Sequence, residues 1–553
     1  MPTGRSGEPA PSSTTPPPTH TLAYTRTSDA EDLPHATKRR MADFLRKFEA
    51  MYDYDQQSRK PSLTPHLCRF TVTPQRMRMI VEAFKDSLEL GLAKPAQVVP
   101  MIPTYVFGWP SGNETGNFLA VDLGTPLTTF SIPPSSDIDY LGGTNLRVCL
   151  VNLSGGGKFE ITQSKYRLTE EQKQEDGQKL FDFCAECLRT FIDANVETGL
   201  IQKATVLPLG FTFSYPCSQE RIDHGILIRW TKGFGSPNTE GHNVVEMFRE
   251  SLAKHSVPAE VVALTCDTTG TLIASHYVNI DTKIACIFGT GCNAAYMERV
   301  ADIPKISHLK IDPEAQMAIN CEWGAFDSFE HEHLPRTKYD IIIDEASNKP
   351  GEQAFEVPAP HPQTNQAHSF LVVAQKLISG RYLGEILRLI ICELIDEGVV
   401  FLGQNTYKIE IPYSFDTAFL SLMESDPTDE LLMVIGIFTY FFALETTLAE
   451  RQFFRALAKL VGKRAARLSS CGIAAIVKKM GYLERGCAVG ADGSLYNKYP
   501  GFPDRIHEGL QDIFGIQGKK IVTYHAEDGS GIGSAIVAAM TKARKDAGLY
   551  ATV

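Results

Sequence analysis

The stretch Phe118–Leu153, FLAVDLGTPLTTFSIPPSSDIDYLGGTNLRVCLVNL, contains two apolar runs, FLAVDLG and LRVCLVNL, with a Pro- and Ser-bearing interlude between them. Each run has the apolar, β-branched character of a strand and meets a glycine corner. Joined directly they read DLG-GTNLRV, a strand–turn–strand unit whose glycines bring backbone N–H groups close to an anion. Working outward, three further corners share this chemistry: FGTGCNAAY (Phe288–Tyr296), VGADGSLY (Val489–Tyr496) and AEDGSGIGSA (Ala526–Ala535). One glycine corner is usually only a tight turn. Two strand-ending GT corners in separate halves of the chain point to a duplicated nucleotide cleft, and an Asp beside them can hold magnesium through water. Neither a Gly-x-x-x-x-Gly-Lys-Ser/Thr loop nor a protein-kinase catalytic loop occurs.

The chain has 553 residues, more than one core serves, so two large lobes are expected. A formal charge of −11 leaves no basic field for nucleic acid. Twelve cysteines lie scattered without zinc spacing or disulfide density, which places the chain in a reducing, cytoplasmic compartment. No secretory signal is present, and the longest apolar run, Leu431–Leu444, falls short of the ~18 residues of a membrane span and is read as a buried helix or a surface loop. The first forty residues, rich in Pro, Ser and Thr, predict a disordered extension. From Met41 the pattern is α/β, with helices predicted over Pro74–Leu92 and Gly177–Asn195 and further strands in ATVLPLGFTFSY and KIACIFGTG. Ligands of such folds sit at strand ends.

Six longer motifs carry a specific resemblance: LGFTFSYPCSQERIDHGILIRWTKGF (Leu209–Phe234), DTTGTLIASHY (Asp267–Tyr277), FGTGCNAAYME (Phe288–Glu298), MAINCEWGAF (Met317–Phe326), LPRTKYDIIIDEASNKPGEQAFE (Leu334–Glu356) and HAEDGSGIGSA (His525–Ala535). Together they are similar to the hexokinase family in its fungal form, from about Met41 to the C-terminus. The resemblance implies an α/β, two-lobed, actin-like ATPase (ribonuclease H-like) fold with a sugar cleft between the lobes. It assigns residues 41–268 to the small lobe, with sugar and first phosphate loop, and 269–553 to the large lobe, with ATP. The implied reaction is ATP-dependent phosphorylation of the 6-hydroxyl of glucose and related hexoses, the first step of glycolysis, by a cytoplasmic monomer or homodimer.

Residue by residue, the resemblance implies that Asp267 takes the 6-hydroxyl proton and that Lys232 contacts sugar and phosphate oxygens beside Thr231. Ser214, Cys266, Asn293, Glu322 and Glu356 stand where the family binds sugar hydroxyls, and paired donors and acceptors of this kind suit a ring of hydroxyls. Gly143, Thr144, Asn145 and Arg147 match the first phosphate loop and Gly289, Thr290 and Gly291 the second. Gly490, Asp492, Gly493, Asp528, Gly529 and Ser530 match the loops bordering the adenosine pocket. Magnesium would ride on ATP, with Asp122 the carboxylate placed to reach it through water, and no all-protein metal cage is expected. The residues alone give Asp267 a second reading as the N-cap of a helix.

The chain also departs from the family pattern. Cys266 stands where the pattern has Asn before the catalytic Asp, and a thiol is a poor partner for a sugar hydroxyl. Lys463 stands where Thr is common near the nucleotide. Three segments of roughly 18 residues, near 52–69, 125–142 and 357–375, interrupt otherwise continuous motifs. Each can be encoded in frame with GT-type and AG-type borders, so retained introns are the reading. These departures also motivate a second functional hypothesis, a hexokinase-like sugar-binding regulatory protein without turnover.

Overall fold

The computed structural model describes residues 35–49, 70–126, 144–230, 234–328, 331–346 and 373–549. Among the described residues thirteen strands form two main sheets and one small ribbon. In chain order they are β1 (Ile102–Phe107), β2 (Thr115–Pro126), β3 (Thr144–Gly155), β4 (Lys158–Arg167), β5 (Leu207–Phe213), β6 (Cys217–Ser218), β7 (Ile226–Leu227), β8 (Ala259–Thr265), β9 (Thr282–Phe288), β10 (Cys292–Arg299), β11 (Gln316–Asn320), β12 (Cys487–Asp492) and β13 (Ile521–His525).

The first sheet has the order β4-β3-β2-β5-β8, and the second β1-β11-β10-β9-β12-β13. Within each, a founding strand (β2 or β9) pairs antiparallel with its hairpin successor on one side and parallel with a later strand on the other. This is the same ribonuclease H-like path traversed twice, so the duplication suggested by the two GT corners is a duplication of topology. Burial follows position in the sheet: the central β5 is almost wholly buried, whereas the edge strand β4 alternates between exposed and half-buried residues.

After the last strand of the first unit comes the helix Asp267–Val278, and after that of the second the helix Gly529–Asp546. These two equivalent helices cross between the sheets. They can approach because Gly533 has no side chain: a Cβ there would stand 1.8 Å from the Gly270 carbonyl oxygen. Both N-termini therefore open at one crevice, where Thr212 Oγ1 donates to the Ser530 carbonyl (3.2 Å) and Thr265 Oγ1 to Ser534 Oγ (3.2 Å).

Two sequence-based boundaries need correction. Helical structure is present before Met41: His35–Glu49 is a helix whose Met41 and Phe44 are buried, Phe44 meeting Phe453 at 6.4 Å. Nor does everything before residue 268 belong to the first lobe. Strand β1 pairs with β11 at the edge of the second sheet, and in the helix Pro74–Ala93 Phe84 stacks on Phe326 at 4.1 Å. Local periodicity names these elements, but which sheet receives them is decided by apolar surface far along the chain. The run Leu431–Leu444 becomes a short helix, Leu432–Gly436, followed by a π-helical turn, Ile437–Phe442, with Phe438 and Phe442 inward and Tyr440 exposed. No helix among the described residues is long and apolar enough to cross a membrane.

The helix Lys338–Glu345 is held by charge. Arg464, fully buried, donates to both oxygens of Asp340 at 2.7 and 2.8 Å while its guanidinium lies over the Phe70 ring at 4.5 Å. Breaking such a pair strands a buried charge. Arg464→Leu is expected to destabilise the fold by ~3–5 kcal/mol, and Arg464→Leu with Asp340→Leu by less, as read by urea denaturation. A double variant at least as unstable as the single one would refute the charge argument. Farther along this helix, Asp344 Oδ1 accepts from Lys376 Nζ at 2.5 Å, which ties the chain before residue 347 to its return in the helix Val373–Ile378.

Candidate active site

At the crevice, β8 ends and Cys266 is the N-cap of the following helix, so Asp267 is its first residue and not the cap. Asp267 Oδ1 accepts from the Thr268 N–H (2.7 Å) and the Thr268 hydroxyl (3.0 Å), while its own N–H donates to Ser214 Oγ (3.2 Å) at the end of β5. Among the described residues only Oδ1 is hydrogen-bonded, which leaves Oδ2 to accept a proton. The Cys266 thiol makes no side-chain cap hydrogen bond and lies 3.2 Å from Thr269 Oγ1. Burial, with the Asp267 carboxylate and more weakly that of Glu322, pushes its pKa up to about 12, so it stays a neutral thiol.

The second carboxylate is built by a hairpin. Register Ala295↔Asn320 brings the start of β10 beside the end of β11. Asn293 Nδ2 donates to Asn320 Oδ1 (2.7 Å) and Glu322 Oε1 (2.9 Å), and its Oδ1 accepts the N–H groups of Ala294 (2.8 Å) and Glu322 (2.9 Å). Asn320 Nδ2 adds a further bond to Glu322 Oε1 at 2.8 Å. Expected as a direct sugar ligand, Asn293 here orients Glu322, whose backbone is in the left-handed region at φ 50°. A non-glycine residue in that region is held there by its surroundings, as the amide bonds explain. Asn320 escaped the sequence reading; its signal was its place two residues before Glu322 in INCE, at a strand end.

The glycine corners converge at the ends of the neighbouring strands. Gly493, at φ 107°, lies so close to the Gly289 corner that a Cβ would stand 2.4 Å from the Phe288 carbonyl oxygen. The Gly289 N–H donates to the Gly291 carbonyl (2.9 Å), and Thr290 at the tip of that turn is exposed. Gly490 faces Ser275 of the helix Asp267–Val278, and Asp492 accepts the Gly493 N–H at 2.6 Å and Asn497 Nδ2 at 2.8 Å. Asp528, at φ 47°, precedes Gly529 and Ser530 at the start of their helix. Its backbone N–H groups, together with the glycine cradle, fit a nucleotide's phosphates. Among the described residues no group of three or more His, Cys, Asp or Glu could hold a metal ion.

The residues expected at the first phosphate corner are engaged within the protein. Arg147 is buried and bridges Asp122 (3.2 Å), Asp528 (2.7 Å) and Ser530 Oγ (2.6 Å), and Ser530 Oγ in turn donates to Asp122 at 2.8 Å. Arg147 thus fastens the first sheet to the helix Gly529–Asp546, and these carboxylates keep it protonated against the cost of burial. Thr144 and Asn145 do not form a turn. Their backbones extend β3, Asn145 opposite Thr125 and Thr144 opposite Pro126, beyond a register shift at Gly124. Gly143, Thr231, Lys232 and Glu356 lie outside the described residues, as does the segment 52–69. Lys463 is exposed on the helix Leu448–Lys479, where its neighbour Gly462 packs on Tyr499, beyond the Asp492 corner.

Cys266 yields a direct prediction. An Asn there would cap the helix and offer an amide to the crevice, so Cys266→Asn is expected to lower the glucose KM by ~5–150-fold, about 1–3 kcal/mol, and to raise the thermal midpoint. An unchanged KM would remove this role.

Two ribonuclease H-like units, with carboxylates and glycine cradles gathered at their strand ends, define a two-lobed sugar kinase of the actin-like class. Family models described as Hexokinase match residues 63–132 with 138–277 and 283–358 with 365–540, their internal breaks falling in two of the three interrupting segments. The chain belongs to the hexokinase family. It is 46% identical over 484 residues to a hexokinase of Schwanniomyces occidentalis, covering 87% of this chain and 92% of that one. Against hexokinase-1 of Saccharomyces cerevisiae identity is 45% over 483 residues, covering 86% and 91%. A solved hexokinase from Schistosoma mansoni, complexed with glucose, superposes with a TM-score of 0.71 at 29% identity, covering 91% of this chain and 99% of that one.

Proposed function

We propose that the protein transfers the terminal phosphoryl group of ATP to the 6-hydroxyl of glucose and related hexoses. The observation that carries this reading is Asp267, a carboxylate fixed through one oxygen and available through the other, in the same crevice as Glu322 and the glycine cradle. Phosphoryl transfer asks for a positioned hydroxyl, a proton acceptor and neutralised phosphate charge, with little covalent chemistry from the protein. Asp267 takes the proton, and Ser214 steadies the Asp267 backbone. Glu322, oriented by Asn293 and Asn320, reads sugar hydroxyls. Gly289–Gly291, Gly493 and the start of the helix Gly529–Asp546 hold the nucleotide, and magnesium, arriving with ATP, would neutralise its phosphates. Asp122, whose Oδ2 accepts from Arg147 and Ser530, would meet the ion through water. Thr231, Lys232 and Glu356 complete the sugar side on the strength of family membership. The described cysteines are all free, which suits a reducing cytoplasm.

A coupled ADP-release assay with glucose, fructose and mannose tests the reading. Glucose-dependent ADP release supports it. Saturable glucose binding without ADP release would favour the regulatory reading.

A further inference from the structure

Ser214 and Gly124 end neighbouring strands of the first sheet, next to the pair Leu123↔Phe213; the first touches Asp267, the second marks the phosphate corner, and one side chain packs under that corner. Tyr215, next in sequence to Ser214, is buried and runs beneath Gly124: a Cβ added there would stand 2.8 Å from the Tyr215 hydroxyl and 3.1 Å from its Cε2 and Cζ. Gly124 itself has φ 114° at the register shift of β2, so the corner is set by a glycine conformation seated on a ring.

The ring in turn has little freedom. Phe213, Trp230 and Phe234 surround it with centroids at 4.7, 4.9 and 5.3 Å, and Trp230 stacks on Phe234 at 5.2 Å. Trp230 is pinned by polar bonds as well, its Nε1 donating to the Ser236 carbonyl (2.9 Å) and its N–H to Glu240 (2.7 Å). All four rings lie in the core of the first sheet. Packed aromatic faces of this kind are stiff, and a displacement of about 1 Å between reacting groups costs on the order of 10²-fold in rate.

We infer that Tyr215, backed by Trp230 and Phe234, is a positioning residue that fixes the Ser214–Asp267 pair relative to the Gly124 phosphate corner. This rests on the site reading given above for Asp267. A spacer of this kind affects the transfer step and leaves each substrate's own contacts intact, so its loss appears in kcat and not in sugar affinity.

The test compares Tyr215→Leu, Tyr215→Phe, Phe234→Leu and Asp267→Asn in the full chain, with kcat and KM from ADP release and glucose Kd from equilibrium titration. Tyr215→Leu and Phe234→Leu are expected to lower kcat by roughly 10–100-fold with glucose Kd within about threefold, and Tyr215→Phe, which keeps the ring, to recover most of kcat. The inference is overturned if kcat and glucose binding fall together, if both Leu variants keep kcat, or if Tyr215→Phe is as slow as Tyr215→Leu. An Asp267→Asn variant that turns over normally would instead overturn the site reading, which separates the two failures.

Discussion

Asp267→Asn is expected to lower kcat by ~10²–10⁴-fold while leaving glucose KM within an order of magnitude. The substitution keeps the shape of the side chain, and its amide oxygen can still accept from the Thr268 N–H and hydroxyl, so the start of the helix Asp267–Val278 is preserved. What is lost is the second oxygen's capacity to take a proton, a loss felt only as the hydroxyl attacks. In free energy this is about 3–5 kcal/mol of transition-state stabilisation, larger than the change expected from Cys266→Asn and on a different parameter. A kcat within about threefold of the parent would show that the proton goes elsewhere and that Asp267 serves the helix start alone.

Much of this architecture was legible in the chain because its signals are local. The period of Pro74–Leu92 and Gly177–Asn195 gives helices, and apolar runs ending in glycine corners give β2, β3, β5 and β9. The repeated GT corner foretold a duplicated unit, because each one closes an apolar strand in its own half of the chain. What stayed hidden depends on partners remote in sequence. Strand β1 needed β11, more than two hundred residues on, to reveal its sheet. The ring of Asp122, Asp528 and Ser530 around Arg147 has no local signal. Nor has the engagement of the Asn293 amide by Asn320 and Glu322. Asp267 reads as an N-cap because Asp favours that position, but the backbone turns one residue earlier, at a cysteine with no cap bond to offer.

Removing Thr125–Gly142 is expected to preserve the fold and to raise kcat by as much as ~10²–10³-fold for each phosphate donor restored. In the full chain the pairs Thr125↔Asn145 and Pro126↔Thr144 draw these backbones into a prolonged hairpin. Thr144 and Asn145 then lie in a strand ladder in place of a phosphate-binding loop. Without the segment, the pair Leu123↔Leu146 would close a loop of Gly124, Gly143, Thr144 and Asn145, a four-residue connection that hairpins accept readily and that returns its N–H groups to the crevice. Everything that anchors this corner lies inside that pair or beneath it: Asp122, Arg147 and the ring of Tyr215 under Gly124 keep their partners. Loop shortening costs little closure entropy, so the thermal midpoint should hold or rise. Sequencing mature transcripts gives an independent reading, since a spliced message would encode the short loop directly. Equal kcat in the long and short chains, together with transcripts that carry the segment, would show that the prolonged hairpin is a working part of the enzyme and that its phosphate donors lie elsewhere.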